Sequence, residues 1–206
     1  MERYLSVGSN FLRRQYLPHL LITLLLCIMS GFFVSFQNLS PEQAAKVMEM
    51  FVIFTGILLF TPLFMPEQNR EIWLLEKSKQ TSLWQLYLVR ILEALVLLAV
   101  IVTVFIGVLS LGNSEFEAGK LWLGSFAEIL FLGAVGFFVS GITNQVVLGY
   151  MVSVLYFVGN IGGSKYFGKL ALFQMMKGDF TFMPWMMAGA VILLAAGIVI
   201  REKMNQ

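Results

Sequence analysis

Long apolar segments alternate with short polar stretches along the whole chain, and this pattern constrains the fold more than any other feature of the sequence. A helix needs about 20 apolar residues to cross a bilayer, and only helices and closed barrels satisfy their backbone hydrogen bonds there. The chain is 58% hydrophobic and 13% charged, whereas a soluble domain has about 25% charged residues. We therefore predict an all-α integral membrane protein with six transmembrane helices in one transmembrane domain, residues 1–206. The predicted spans are residues 17–36, 47–64, 83–109, 121–139, 146–158 and 184–200.

The distribution of lysine and arginine predicts the orientation of these spans. With the N-terminus inside, the cytoplasmic segments carry more basic residues than the opposite side, as the positive-inside rule requires. The chain is thus predicted to be a multi-pass protein of the cytoplasmic (inner) membrane, with both termini in the cytoplasm. The basic residues are scattered and the net charge is only +2, which excludes a nucleic-acid partner. The cytoplasmic basic residues in this prediction are Arg3, Arg13, Arg14, Arg70, Lys77, Lys79, Arg90, Arg201 and Lys203.

The longest charged stretch, residues 66–90, separates the second and third predicted spans. Pro66 suits the first turn of a helix, and the apolar and charged residues after it alternate as in an amphipathic helix of about three turns. Ser82 and Gln85 form a potential capping box for the next helix. Two interpretations stay open. The helix of the loop 65–82 either lies on the lipid headgroups or docks in a groove of another protein.

Several further segments have a predicted structure. Residues 1–16 have helical spacing and predict a helix along the membrane interface. Ser40, Pro41 and Gln43 predict a capped start for the second span, and residues 140–145 predict a tight polar turn. The glycine-rich run 159–163 predicts a break. The partly apolar, partly charged residues 162–183 predict one or two short helices on the outer face, which lie on the outer leaflet or dip partly into it.

Two carboxylates are candidates for function within the membrane. Glu128 lies well inside the fourth span, where an ionisable residue is costly. The alternative is that Glu128 is protonated or hydrogen-bonded to another helix. Glu93 follows Arg90 by three residues, so the two can pair on one helix face. The single histidine, His19, and the single cysteine, Cys27, have no partner with which to form a metal or catalytic site, so no metal is predicted.

The arrangement of these elements resembles the membrane subunit of an ABC-2 type ATP-binding cassette transporter. An interfacial helix, six spans, a cytoplasmic helix between spans two and three and a partly apolar outer segment are shared features. The most specific part of the resemblance is the stretch EIWLLEKSKQTSLWQLYLVR at residues 71–90, which looks like the coupling helix of that family and the start of its third span.

The resemblance implies a function, partners and site residues. The chain would be a permease subunit that dimerises with a second, identical or related permease subunit and exports a peptide, lipid or small amphiphile. A separate ATPase subunit would bind ATP and Mg²⁺, because this chain has no G-x-x-x-x-G-K-[ST] phosphate loop and is not itself an enzyme. Residues 1–15 would be the connecting helix and residues 162–182 the outer gate region. The ATPase-coupling residues would be Glu67, Arg70, Glu71, Ile72, Trp73, Leu74 and Leu75.

Other classes remain open on the sequence. A substrate-capturing membrane component of a vitamin or metal importer also has about six short-looped helices and borrows its ATPase. An intramembrane enzyme would need paired histidines, or a nucleophile with its base, and this sequence offers neither. A membrane scaffold or immunity protein without transport activity is the fourth class.

Overall fold

In a computed structural model of the chain, residues 16–68 and 83–204 are described, and all regular structure in them is helical. Five of the helices there are long enough and apolar enough to cross a membrane, which confirms the prediction of a multi-pass helical membrane protein. The remaining apolar helix, α1, has 17 residues and is about 26 Å long. Its crossing of the membrane, and with it the six-span layout, stays a prediction. The six helices are α1 (Leu17–Phe33), α2 (Pro41–Gln68), α3 (Leu83–Leu111), α4 (Ala118–Thr143), α5 (Val146–Gly163) and α6 (Met183–Met204).

Helix α2 begins where the sequence predicts and then changes its winding. The Ser40 hydroxyl accepts a hydrogen bond from the Gln43 amide, and the Gln43 side chain accepts one from the Ser40 amide, so the predicted capping box is confirmed. The α-helical turns are interrupted by a π-helical turn at Met48–Val52, and the helix tightens to 3₁₀ geometry at its end. The π turn adds a residue to one face, and such turns are frequent at functional sites.

Helix α4 lies at the centre of the bundle and packs against α2, α5 and α6. Glycines allow these helices to approach each other closely. A Cβ atom on Gly133 would lie 2.6 Å from the carbonyl oxygen of Gly56 on α2, and one on Gly149 of α5 would lie 2.5 Å from the carbonyl oxygen of Gly136. Helices in membranes associate through small residues of this kind because van der Waals contact, and not water exclusion, holds them together.

The outer faces of the bundle are apolar. On α3, exposed leucines and valines recur at every fourth position and so form one continuous stripe. In a soluble protein such a face would have to be covered by a partner, whereas in a bilayer it is matched by the lipid chains. The stripe is formed by Leu88, Leu92, Val96, Val100, Val104 and Val108.

The loops identify the two ends of the bundle. The amide of Asn38 donates to the Gly112 carbonyl at 2.8 Å, and Glu115 donates to the Leu39 carbonyl at 3.1 Å, so the loops after α1 and after α3 lie together at one end. At the other end, the Gln68 side chain donates to the Asn144 carbonyl at 3.1 Å. The predicted polar turn there is shorter than expected, since α4 continues to Thr143 and Asn144 alone adopts left-handed geometry.

The predicted break at residues 159–163 is wrong. Helix α5 continues to Gly163 because Asn160 is fully bonded within the fold. Its amide NH₂ donates to the Tyr156 carbonyl at 2.8 Å, and its side-chain oxygen accepts the Leu172 amide at 2.9 Å. After α5, the expected short helices are three 3₁₀ turns, at Ser164–Tyr166, Gly168–Leu170 and Met175–Lys177.

The middle of the docked segment, our name for residues 164–182, enters the bundle, whereas residues 164–170 and 177–181 lie at the surface of the bundle. Ala171, Leu172, Phe173, Met175 and Phe182 are buried in it. A segment with this many apolar residues gains more from packing between helices than from lying at a wet interface. The secondary structure of this segment is therefore short 3₁₀ turns, and its place on the outer face of a membrane stays a prediction.

Candidate functional site

The buried charged side chains of the described residues form two clusters, one toward each end of the bundle. The first cluster lies where α2 ends and α3 begins. Arg90 of α3 donates from Nη1 to the Glu67 carboxylate at 2.5 Å and to the Leu63 carbonyl at 3.0 Å. The side chains of Arg90 and Glu67 are 3% and 0% exposed. We call this pair the clamp, because it joins the two helices on either side of residues 69–82.

Helix α6 reaches this end of the bundle through Arg201, which is also buried. The Arg201 guanidinium carbon lies 5.7 Å from the centroid of the Phe64 ring, and its side chain is hydrogen-bonded to Tyr87. The Phe64 ring meets Tyr87 edge-on and stacks on Phe137 of α4 at 4.3 Å. Four helices therefore converge on one set of buried side chains at this end.

Of the predicted coupling residues, Glu67 is the one that lies among the described residues. Glu67 is 4% exposed and paired with Arg90, and its role in coupling stays a prediction. Arg90 thus forms its buried ion pair with a residue from α2, and it acts electrostatically on Glu93, its neighbour on the same helix. The other predicted coupling residues, Arg70, Glu71, Ile72, Trp73, Leu74 and Leu75, lie outside the described residues, as do the interfacial helix of residues 1–15 and the capping residue Ser82.

The two intramembrane candidates have different surroundings. Glu93 is partly exposed on α3, and its buried Oε2 has no hydrogen-bond partner within residues 16–68 and 83–204. Glu128 is 1% exposed on α4 and interacts with Glu49, a second buried carboxyl on α2. The structure therefore brings Glu128 together with a residue that was not among the predicted candidates.

Glu49 binds the docked segment. Its Oε1 accepts the Met175 amide at 2.7 Å, and its Oε2 accepts the Met176 amide at 3.1 Å. Neither oxygen of Glu128 accepts a hydrogen bond that meets normal geometry in the described part of the chain, although the Gln174 amide approaches it. Two carboxylates so close in an apolar interior cannot both be ionised, since repulsion and desolvation both oppose it.

Two side chains of α5 hold the other half of the docked segment. The Tyr156 hydroxyl donates to the Leu170 carbonyl at 2.6 Å, and Asn160 accepts the Leu172 amide. Together with Glu49 they satisfy backbone groups of a non-helical segment at membrane depth, which is tolerated only where protein or water supplies partners. This second cluster is therefore what allows the segment to enter the bundle.

The sequence gives only a weak signal for Glu49. Glu49 is the third residue of the predicted second span, 47–64, so it is expected at the edge of the membrane, where an ionisable residue costs little. The structure starts α2 at Pro41, which places Glu49 further from the end of the helix. What the sequence could not give is the pairing, because α2 and α4 are separated by more than fifty residues at this point.

No protein-family model matches the chain. Neither the curated proteins nor the solved structures contain a match to it.

Two concave regions could hold small molecules. A half-open cleft of about 320 Å³ between α1 and α3 is lined by apolar side chains together with Cys27. A second cavity, of about 180 Å³, lies where the docked segment meets the starts of α2 and α4, with Met175 in its wall. Within residues 16–68 and 83–204 no three His, Cys, Asp or Glu side chains are grouped as a metal site would require.

Proposed function

We propose that the chain is the permease subunit of an ATP-driven exporter of the ABC-2 type, in the cytoplasmic membrane with both termini in the cytoplasm. The observation that carries the proposal is the clamp. Glu67 and Arg90 are joined across residues 69–82, the segment that contains the predicted coupling residues. A loop that only rests on lipid headgroups would not need its two ends fixed to each other.

The chemistry of the clamp supports a role in fixing the relative positions of the helices that it joins. A buried ion pair often stabilises a fold no better than an apolar pair of the same size, whereas it fixes which groups lie next to each other. The contact of Arg201 with Phe64 and Tyr87 extends this fixed arrangement to α6. A force on residues 69–82 would therefore reach α2, α3 and α6 together, as an arrangement for coupling requires.

The proposed mechanism divides the work between subunits. Two partner ATPase subunits, which bind ATP and Mg²⁺, close on each other and press on residues 70–75 of two permease subunits. Because the clamp makes α2 and α3 move as one unit, the closure tilts both helices and shifts the bundle between inward-open and outward-open states. The second permease subunit, identical or related, supplies the other half of the path.

The substrate is proposed to be a peptide, a lipid or a small amphiphile. Support comes from the cleft between α1 and α3, which is almost entirely apolar and opens on the side of the bundle. An amphiphile dissolved in the bilayer can enter such a cleft without leaving an apolar environment.

Purification from native membranes in mild detergent, followed by mass spectrometry and an ATPase assay, tests the proposal. The wild-type chain should retain an ATP-hydrolysing subunit, and the double substitution W73A/L75A should lose it. The matched control is W84A/L88A, which removes the same residue types from the exposed face of α3 and should retain the ATPase.

Two results would contradict the proposal. One is purification of the wild-type chain without any ATPase in several detergents. The other is equal retention of the ATPase by W73A/L75A and by the wild type. A chain purified with a tightly held vitamin or metal ion would instead favour the importer component.

A further inference from the structure

The docked segment is held by a carboxyl pair that no part of the proposed transport cycle uses. Glu49 is eight residues into α2, so the segment reaches about 12 Å below the start of that helix. At this depth one carboxylate, that of Glu49, accepts two consecutive backbone amides, one on each oxygen. Hydrogen bonds to an ionised acceptor are about twice as strong as neutral ones, so this arrangement favours a charged Glu49.

The surroundings of Glu128 favour the opposite state. Its side chain is 1% exposed, and its oxygens lack a donor with normal geometry among the described residues. A carboxylate in this position would be a buried charge without compensation, next to the charge of Glu49. A neutral carboxylic acid, in contrast, can donate its own proton to the Glu49 oxygen within reach.

We propose that Glu49 and Glu128 form a proton-binding site in which one shared proton keeps the docked segment inside the bundle. Glu128 holds the proton and donates it to Glu49, and Glu49 binds the amides of Met175 and Met176. The ligand of the site is a proton, and the controlled element is the docked segment. The inference does not depend on the identity of the partner ATPase.

The charged and titratable groups around the pair fit this assignment. From the docked segment, the Lys177 ammonium acts on Glu49 and partly offsets its charge. From α5, the Tyr156 hydroxyl lies near Glu128 and is itself used in the bond to Leu170. Loss of the shared proton would leave two negative charges opposite one lysine in an apolar interior, and only water can relieve that repulsion.

Release of the segment is therefore expected as pH rises. The docked state requires the proton, and the released state, with the carboxyls in water, does not, so docking is favoured at lower pH and lost as pH increases. Met175 lies both against Glu49 and in the wall of the 180 Å³ cavity. Its departure would open that cavity toward the carboxyl pair.

Cysteine accessibility in the purified full-length chain, reconstituted in lipid nanodiscs, tests the proposal. Cys27 is the only cysteine and is replaced by serine. Ala171, which is buried in the docked segment, is replaced by cysteine and labelled with a hydrophilic maleimide. The labelling rate of Ala171→Cys is divided by the labelling rate of a reference variant, Glu115→Cys, in which the cysteine is exposed. This ratio corrects for the pH dependence of the thiol reaction.

The wild-type carboxyl pair should give a low relative rate near neutral pH that rises under alkaline conditions. Glu128→Gln retains a donor toward Glu49 but has no proton to lose, so its rate should stay low at every pH. Glu49→Gln replaces one acceptor by an NH₂ group and should raise the rate about tenfold or more at neutral pH, since each hydrogen bond to a charged group contributes at least that factor. The matched control, Glu42→Gln on the exposed face of α2, should behave as wild type.

Either of two outcomes would overturn the proposal. If Glu128→Gln shows the same alkaline rise as the wild type, the proton that matters is not on this pair. If Glu49→Gln protects Ala171→Cys as well as the wild type does, its carboxylate does not hold the segment. Gel filtration and circular dichroism of each variant separate release of the segment from loss of the fold, and the Glu128→Gln result decides the question even if Glu49→Gln does not fold.

Discussion

The clamp gives a prediction whose size follows from its burial. In Arg90→Met, the carboxylate of Glu67 would remain in the interior without its cation, and its Oε2 already lacks a hydrogen-bond partner in the described part of the chain. Breaking a buried ion pair from one side costs about 3–5 kcal/mol. Arg90→Met should lower the free energy of unfolding by about that amount, whereas Glu67→Gln should cost less, because Arg90 keeps its bond to the Leu63 carbonyl.

Removal of both charges should restore most of the stability. The double substitution E67L/R90M leaves no buried charge, and apolar replacement of such pairs is often close to neutral. A double-mutant cycle of Glu67→Leu and Arg90→Met should therefore give a coupling energy of about 3 kcal/mol. Reversible unfolding in mixed micelles with increasing SDS, followed by circular dichroism, measures the free energy of unfolding of each variant.

An exposed ion pair provides the matched control. Lys120 and Glu117 are 2.8 Å apart, but their side chains are 60% and 72% exposed. Lys120→Met should therefore change the unfolding free energy by less than about 1 kcal/mol. The reasoning is refuted if Arg90→Met costs no more than Lys120→Met, or if E67L/R90M is as unstable as Arg90→Met.

Three further predictions concern packing and exposure. Gly133→Ala should destabilise the fold by about 1–3 kcal/mol by overpacking the contact between α4 and α2. The control is Gly107→Ala, which should not lower the free energy of unfolding, because a Cβ atom at Gly107 meets nothing within 4 Å. Asn160→Leu keeps the size of the side chain but strands a buried backbone amide of the docked segment, which should cost about 1–3 kcal/mol in the same unfolding assay. A nitroxide in place of Val96, which is 57% exposed, should be far more accessible to oxygen dissolved in the bilayer than one in place of the buried Leu98, and equal accessibility would contradict the lipid-facing assignment of α3.

The sequence predicts the helices of this fold well because their signals are local. Apolar runs near the length of a bilayer span become helices in the described residues, and the Ser40 and Gln43 capping box forms where its spacing indicates. The depth of Glu128 in its span likewise indicates a residue that needs a special partner. These features depend on residues that are close together in the chain.

The parts that sequence reasoning missed depend on contacts between distant residues. Arg90 has a carboxylate three residues away at Glu93, yet its buried ion pair is with Glu67, which is 23 residues away and comes from α2. The run 159–163 has the composition of a break, but Asn160 satisfies both its own helix and the docked segment. The backbone amides that Glu49 accepts lie more than a hundred residues away, and no local pattern identifies them.

The most direct test of the central claim is to ask what residue 73 touches. A photoreactive phenylalanine analogue in place of Trp73, activated in native membranes, should crosslink to a protein that contains a G-x-x-x-x-G-K-[ST] phosphate loop and hydrolyses ATP, while the same analogue in place of the exposed Trp84 should crosslink only to lipid. Crosslinking to lipid alone from position 73, at the same yield as from position 84, would mean that the segment lies on the membrane surface and does not couple the chain to an ATPase.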